Sequence, residues 1–176
     1  MSPAWLERAA LHYLERYSAS TEMLRRTLAR RVQKRARARG EDPGMFADLV
    51  TATVARAVSA GLVDDARFAD MRLATLRRRG TSSRGVSAKL AAKGVPRDVV
   101  EAAMLAEREA VPEDEAAAIE DQAARAYAKR RRLGPYRRPD QREAYRDRDL
   151  AALARAGFAY GLARRVIDAE PDEEPK

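Results

Sequence analysis

The stretch LAAKGVPRDVVEAAM, Leu90 to Met104, reads as the end of one helix, a glycine turn and the start of the next. Gly94 stands where a helix C-terminus calls for the left-handed conformation. Pro96 then opens a helix with Asp98 in its first turn. The same phrase returns 63 residues later as LARAGFAYGLARRVI, Leu153 to Ile167. Leu90 aligns with Leu153, Gly94 with Gly157, Val95 with Phe158, Val99 with Leu162 and Met104 with Ile167. One pattern, L-x3-G-φ-x3-φ-x4-φ with φ apolar, therefore occurs twice. A period of that length marks stacked helical units, each too small to bury a full core alone. The N-terminal part agrees less closely, because a basic segment through Arg39 replaces the tight turn after Leu28.

Composition supports an all-α chain. Alanine supplies 37 of the 176 residues, β-branched residues are few, and no period-2 run offers a strand. The expected architecture is three tandem three-helix repeats in an elongated, curved array, over 1–61, 62–110 and 111–169, with an acidic frayed tail at 170–176. Ser2-Pro3 starts the first helix, with Leu6, Ala10, Tyr13, Leu14 and Tyr17 on one face. Leu24, Leu28 and Val32 line the second helix, which Gly40 ends. Asp42-Pro43 starts the third, with Leu49 or Val50, Val54 and Val58 inside. The fourth, about 65–79, turns Ala66, Ala69, Leu73 and Leu76 inward. Ser82 or Ser83 caps a fifth with Val86 and Leu90 buried, and Val99, Ala103 and Ala106 line the sixth. Pro112 to Glu115 opens a seventh reaching toward Arg132, LGPYRRPD at 133–140 is a turn or linker, and two more helices end near Gly157 and Asp168.

Two adjacent aspartates in GLVDDARFAD, Gly61 to Asp70, invite a metal or catalytic reading. Helix punctuation explains them better. Gly61 terminates one helix, Asp64 caps the next, Asp65 sits in its first turn, and Val63 with Phe68 has the spacing of a hydrophobic staple. A hard cation needs about six oxygen ligands, and no others lie near in sequence.

These residues resemble the RecX family. The pattern is carried by Gly61, Asp64, Asp65, Arg67, Phe68, Ala69, Gly80, Leu90, Lys93 and Gly94, and by ALHYLERYSASTEMLRRTLARR at 10–31. The match is strong over about 10–103 and weak after Glu107; the segment 33–45 is longer than the usual connection. The resemblance implies a non-enzymatic modulator of the RecA recombinase. Such a protein lies in the groove of the RecA–single-stranded-DNA filament and hinders ATP hydrolysis, strand exchange and co-protease activity, so modulating recombinational repair and the SOS response. It implies as partners the RecA filament and single-stranded DNA, with double-stranded DNA beyond it, and three tandem three-helix repeats as the fold.

Charge placement suits such a partner. The chain carries 35 basic and 27 acidic residues, a net +8, with 30 of the cations arginine. Thr21 to Arg39 holds eight basic residues and one acid, and Met71 to Arg97 holds eight and none. Arg125 to Arg148 holds ten and three, whereas Glu107 to Asp121 holds seven acids and one arginine. The candidate contacts are Arg25, Arg26, Arg30, Arg31, Lys34, Arg35, Arg72, Arg77, Arg78, Arg79, Arg84, Lys89 and Lys93. Phosphate neutralisation by such rows gives salt-sensitive affinity without base recognition.

Other chemistries find little footing. There is no cysteine, one histidine (His12) and no glycine-rich phosphate loop, so no catalytic residue, cofactor or metal is expected. Pro139-Asp140 with Glu143 lacks the rest of a nuclease site, and the helices at 64–79 and 82–93 carry no base-reading set. No apolar run or leader pattern points to a membrane, and a monomeric cytoplasmic protein is expected. The competing reading is a sequence-independent DNA-binding helical protein without a recombinase partner.

Overall fold

The computed structural model describes residues 1–113 and 115–170. Among them are nine α-helices and no strand: α1 Pro3–Leu14, α2 Thr21–Arg37, α3 Ala47–Ser59, α4 Asp65–Arg78, α5 Ser83–Ala92, α6 Arg97–Glu109, α7 Ala116–Arg131, α8 Arg142–Arg155 and α9 Tyr160–Ile167. The chain is all-α. Its described residues form two compact units, one of residues 1–70 and 90–100, the other of residues 71–89, 101–113 and 115–170.

In the first unit, α1, α2 and α3 close on Leu6, Ala10, Leu24, Leu28, Val32, Val50, Val54 and Ala57. Leu6, Leu24 and Leu28 are wholly buried, each contributing about 1.5–3 kcal/mol of apolar transfer. In the second unit, α7, α8 and α9 close on Ala124, Ala128, Leu150, Leu153, Phe158, Ala163, Val166 and Ile167. Alanines on α7 let its backbone come close, so its neighbours supply the bulk.

The two copies of the repeated phrase make the same turn. Val95 N–H bonds to Leu90 carbonyl at 3.2 Å and Gly94 N–H to Ala91 carbonyl at 2.8 Å; Phe158 to Leu153 and Gly157 to Ala154 follow at 3.2 and 3.0 Å. This paired bonding closes a helix on a left-handed residue, and Gly94 and Gly157 have φ of +75° and +94°.

Several expected faces are corrected. Tyr17 is 58% exposed because α1 ends at Leu14, three residues before it. A 3₁₀ turn over Pro43–Phe46 precedes α3, and the α3 stripe is Val50, Val54 and Ala57 with Val58 outside. On α4, Ala66 is exposed and Phe68 buried; on α6, Ala106 is exposed and Val100 buried. The segment 133–140, expected as a turn or linker, is built of turns: it holds a 3₁₀ turn over Gly134–Tyr136 and starts a second over Pro139–Gln141, with Gly134 and Pro135 buried. The expected frayed tail lies, from 171 onward, outside the described residues, as does Asp114 in the expected start of the seventh helix.

Candidate functional site

The aspartate pair shapes the first unit. Asp64 accepts a hydrogen bond from Arg67 N–H at 3.0 Å, which makes it the cap of α4, and Val63 and Phe68 are buried beside it. Gly61 ends the preceding stretch with φ +67°. Asp65 does something its local sequence does not announce. Its carboxylate accepts the N–H of Thr21 at 2.7 Å, satisfying an orphan donor at the start of α2.

The same helix start is held a second way. The Ser20 hydroxyl accepts from Met23 N–H at 3.1 Å and donates to the carbonyl of Lys93. A Cβ on Gly94 would lie 2.3 Å from Glu22 Cβ, so this position needs glycine for space as well as for φ. The second unit repeats the device. Ser82 accepts from Gly85 N–H at 3.1 Å and donates to Ala156 carbonyl at 2.6 Å. Gly157 packs on Ser82 and Arg84, and the Glu120 carboxylate accepts from Ser83 N–H at 3.1 Å. A serine cap, a distant carboxylate and a glycine turn thus seat the start of α2 and of α5 alike.

These anchored helices carry the basic rows. On α2, Arg25 pairs with Glu22 at 3.3 Å, and Arg26 reaches Glu22 at 2.9 Å and the Ala92 carbonyl at 3.3 Å. Arg31 donates to the Ala9 carbonyl at 3.1 Å, and Arg35 lies over the Trp5 ring at 4.7 Å. Those contacts tie four cations to the fold. Arg30 and Lys34 are exposed, and Arg30 contributes with Arg26, Lys93 and Tyr13 to a cleft of about 520 Å³.

Arginines 77 to 79 look equivalent in sequence and are not. Arg77 is only 13% exposed. Its guanidinium donates to Glu107 at 2.8, 2.9 and 3.1 Å, to Glu120 at 2.9 Å, to Ser83 Oγ at 2.9 Å and to the Thr81 carbonyl at 3.2 Å. Burial pulls the pKa of this group down, but the hydrogen bonds and charge of Glu107, then of Glu120, outweigh it, so the pKa rises above its ordinary value. Arg72, Arg78, Arg79, Arg84 and Lys89 are exposed; Arg78 touches Thr75 at 3.2 Å and Lys89 touches Thr81 at 3.5 Å. Gly80 and Leu90 are buried.

A third cationic group lies in and just beyond the basic block Arg125 to Arg148, whose individual arginines were not among the candidate contacts. Arg131, Arg137, Arg148 and Arg155, with Tyr127 and Tyr145, line a cleft of about 620 Å³ in the second unit. At its base Asp149, 1% exposed, accepts from Arg137 at 2.8 and 3.1 Å and from Gly134 N–H at 2.8 Å. The hydrogen bond to Asp149 holds the Arg137 pKa above its ordinary value. The α8 spacing Tyr145, Arg148, Ala152, Arg155 was the available signal, being one face of a helix.

A family model described as the second three-helix domain of RecX matches residues 64–104. Over 172 residues the chain is 45% identical to a regulatory protein RecX of Myxococcus xanthus, covering 97% of this chain and 88% of the relative. It is 28% identical to that of Agrobacterium fabrum over 97% of this chain and 85% of the relative. With that of Mycobacterium avium the identity is 34%, over 85% of each. No solved structure matches the chain significantly. The Asp64 cap, the Val63–Phe68 staple and the Leu90–Gly94 turn all lie in or beside the matched segment, and with a relative this similar along nearly its whole length the chain belongs to the RecX family of regulatory proteins.

Proposed function

We propose that this chain is a non-catalytic modulator of a RecA-type recombinase. It binds the recombinase–single-stranded-DNA filament and slows its ATP hydrolysis, strand exchange and co-protease activity, tempering recombinational repair and the SOS response. The observation that carries this reading is the exposed cationic surface of the family-matched segment, Arg72, Arg78, Arg79 and Arg84, on helices whose starts are pinned by Asp64 and Ser82. Such a surface neutralises phosphate or acidic protein groups and supplies neither a nucleophile nor a base, so the mechanism is occupancy. The division into repeats over 1–61, 62–110 and 111–169, a monomeric state and a cytoplasmic setting belong to the same proposal. No helix among the described residues is long and apolar enough to cross a membrane.

Titrating the protein into preformed recombinase filaments, and separately into naked single-stranded DNA, across a salt series tests the reading. Preference for filaments with suppressed ATPase is the expected result. Equal affinity for both with unchanged ATPase would favour the plain DNA-binding alternative.

A further inference from the structure

The connection from α2 to α3 has no part in the proposal above, which rests on α4 and α5. It ends in the 3₁₀ turn over Pro43–Phe46, which Asp42 holds by accepting Gly44 N–H at 2.9 Å. That turn closes one end of a groove of about 490 Å³ between α2 and α3, within the first unit. At the other end Arg25 on α2 donates to Thr51 on α3 at 3.4 Å. Val32, Phe46 and Val50 form the floor, and the small residues Ala29, Gly44 and Ala47 leave it open above. Met45, next to the groove in sequence, is 77% exposed.

Charge around the groove has one sign. Its lining contains Arg25 and Arg30 and no carboxylate. Glu22 engages Arg25 at 3.3 Å. Arg30 is exposed, bonds to Thr27 at 3.4 Å and makes no ion pair among the described residues. Lys34 follows one turn later and is also exposed, so a cationic edge runs beside an apolar floor. From Arg25 to Gln33 the α2 side of the groove spans about 12 Å at ~1.5 Å per residue, or about two helical turns.

We infer that this groove docks an amphipathic helix of a partner protein, with apolar side chains at i, i+4 and i+7 on the floor and carboxylates against Arg30 and Lys34. Positions i and i+7 lie about 10.5 Å apart along a helix, which fits the length of the groove. Alanine and glycine at the mouth let a fourth helix come close to α2 and α3, and the unbranched Met45 can fold onto its flank. A phosphodiester chain would satisfy the cations but set charged oxygens against Val32, Phe46 and Val50, which offer them no hydrogen bond. An acidic segment without apolar anchors would leave the same floor wet.

The test uses the full-length protein and a fluorescein-labelled helical peptide with leucines at i, i+4 and i+7 beside a row of glutamates, followed by anisotropy. Saturable binding, lost with a scrambled peptide of the same composition, is expected. A29K/A47K fills the groove without adding negative charge and should weaken binding by about tenfold or more, the loss of a buried anchor. R30E should weaken binding and flatten its salt dependence. A66K/A88K places the same bulk and charge on exposed positions of α4 and α5 and should bind as wild type does. Unchanged or tighter binding by A29K/A47K would show attraction to charge alone and overturn the assignment. Equal binding of the scrambled peptide, or no saturable binding at all, would do the same. Displacement of the peptide by oligothymidine would make the groove a nucleic-acid face and also overturn it. No recombinase is present in the assay, so the recombinase proposal stands or fails separately.

Discussion

Replacing Arg77 by alanine should destabilise the protein far more than replacing Arg78. Arg77 is 13% exposed and joins Glu107 and Glu120, 18% and 29% exposed, through charge-assisted bonds of 2.8–3.1 Å. Removing one partner from a buried pair costs about 3–5 kcal/mol, because the remaining charge is left uncompensated. Here water can reach Glu120 in part, so the low end, about 3 kcal/mol, is appropriate. For a chain of this size each kcal/mol moves the melting temperature by about 2–4 °C, so Arg77→Ala should lower it by about 6–12 °C. Arg78, exposed and hydrogen-bonded to Thr75, should change stability by less than about 0.5 kcal/mol. Differential scanning calorimetry of the two variants gives the comparison directly. A shift of under 2 °C or so for Arg77→Ala, too small for a buried ion pair, would refute the assignment. One consequence concerns function: Arg77→Glu would place a third carboxylate against two others, so a charge reversal meant to probe the surface must keep Arg77 and change Arg78 and Arg79.

Three further outcomes are expected. Gly80→Ala should cost more than Gly61→Ala in urea denaturation. Both have φ near +70°, but a Cβ at Gly80 would lie 2.2 Å from Tyr127 N, whereas Gly61 faces open space; Gly61→Ala should cost only the left-handed strain of about 1–2 kcal/mol. Asp65→Ala leaves Thr21 N–H unpaired and should lower stability by about 0.5–2 kcal/mol, the usual price of a lost cap, and increase exchange of the α2 N-terminal amides. The hydrogen bonds from Arg146 at 2.7 Å hold Asp168 below the ordinary carboxylate range. The stability this pair contributes is therefore present above the ordinary value and lost as pH falls through the lowered one; NMR titration of Asp168 should show the low midpoint, and Arg146→Gln should return it toward normal.

What could be read from the sequence follows from how locally each feature is encoded. The Leu90–Gly94 and Leu153–Gly157 turns were legible because their hydrogen bonds close within six residues. The Asp64 cap and the Val63–Phe68 staple were legible for the same reason. Helix phase was less so, because alanine serves either face: Ala66 and Ala106 were expected inside, while Ala57 replaces Val58 in the α3 core. The 3₁₀ turn at Pro43–Phe46 delays the start of α3, which a proline signal alone cannot show. The site was harder still. Nothing near Arg77 marks it apart from Arg78 in charge pairing, since its carboxylate partners lie 30 and 43 residues away. Asp65 reaches Thr21 across 44 residues, and Arg137 meets Tyr145 and Asp149 only once the turn at Gly134–Tyr136 has formed.

The most direct measurement is single-stranded-DNA-dependent ATP hydrolysis by preformed RecA filaments, titrated with the wild-type protein and with R78E/R79E. A saturable fall in rate with wild type, weakened in the folded variant, is the expected result. A rate unchanged at concentrations where the wild-type protein already coats naked single-stranded DNA would contradict it.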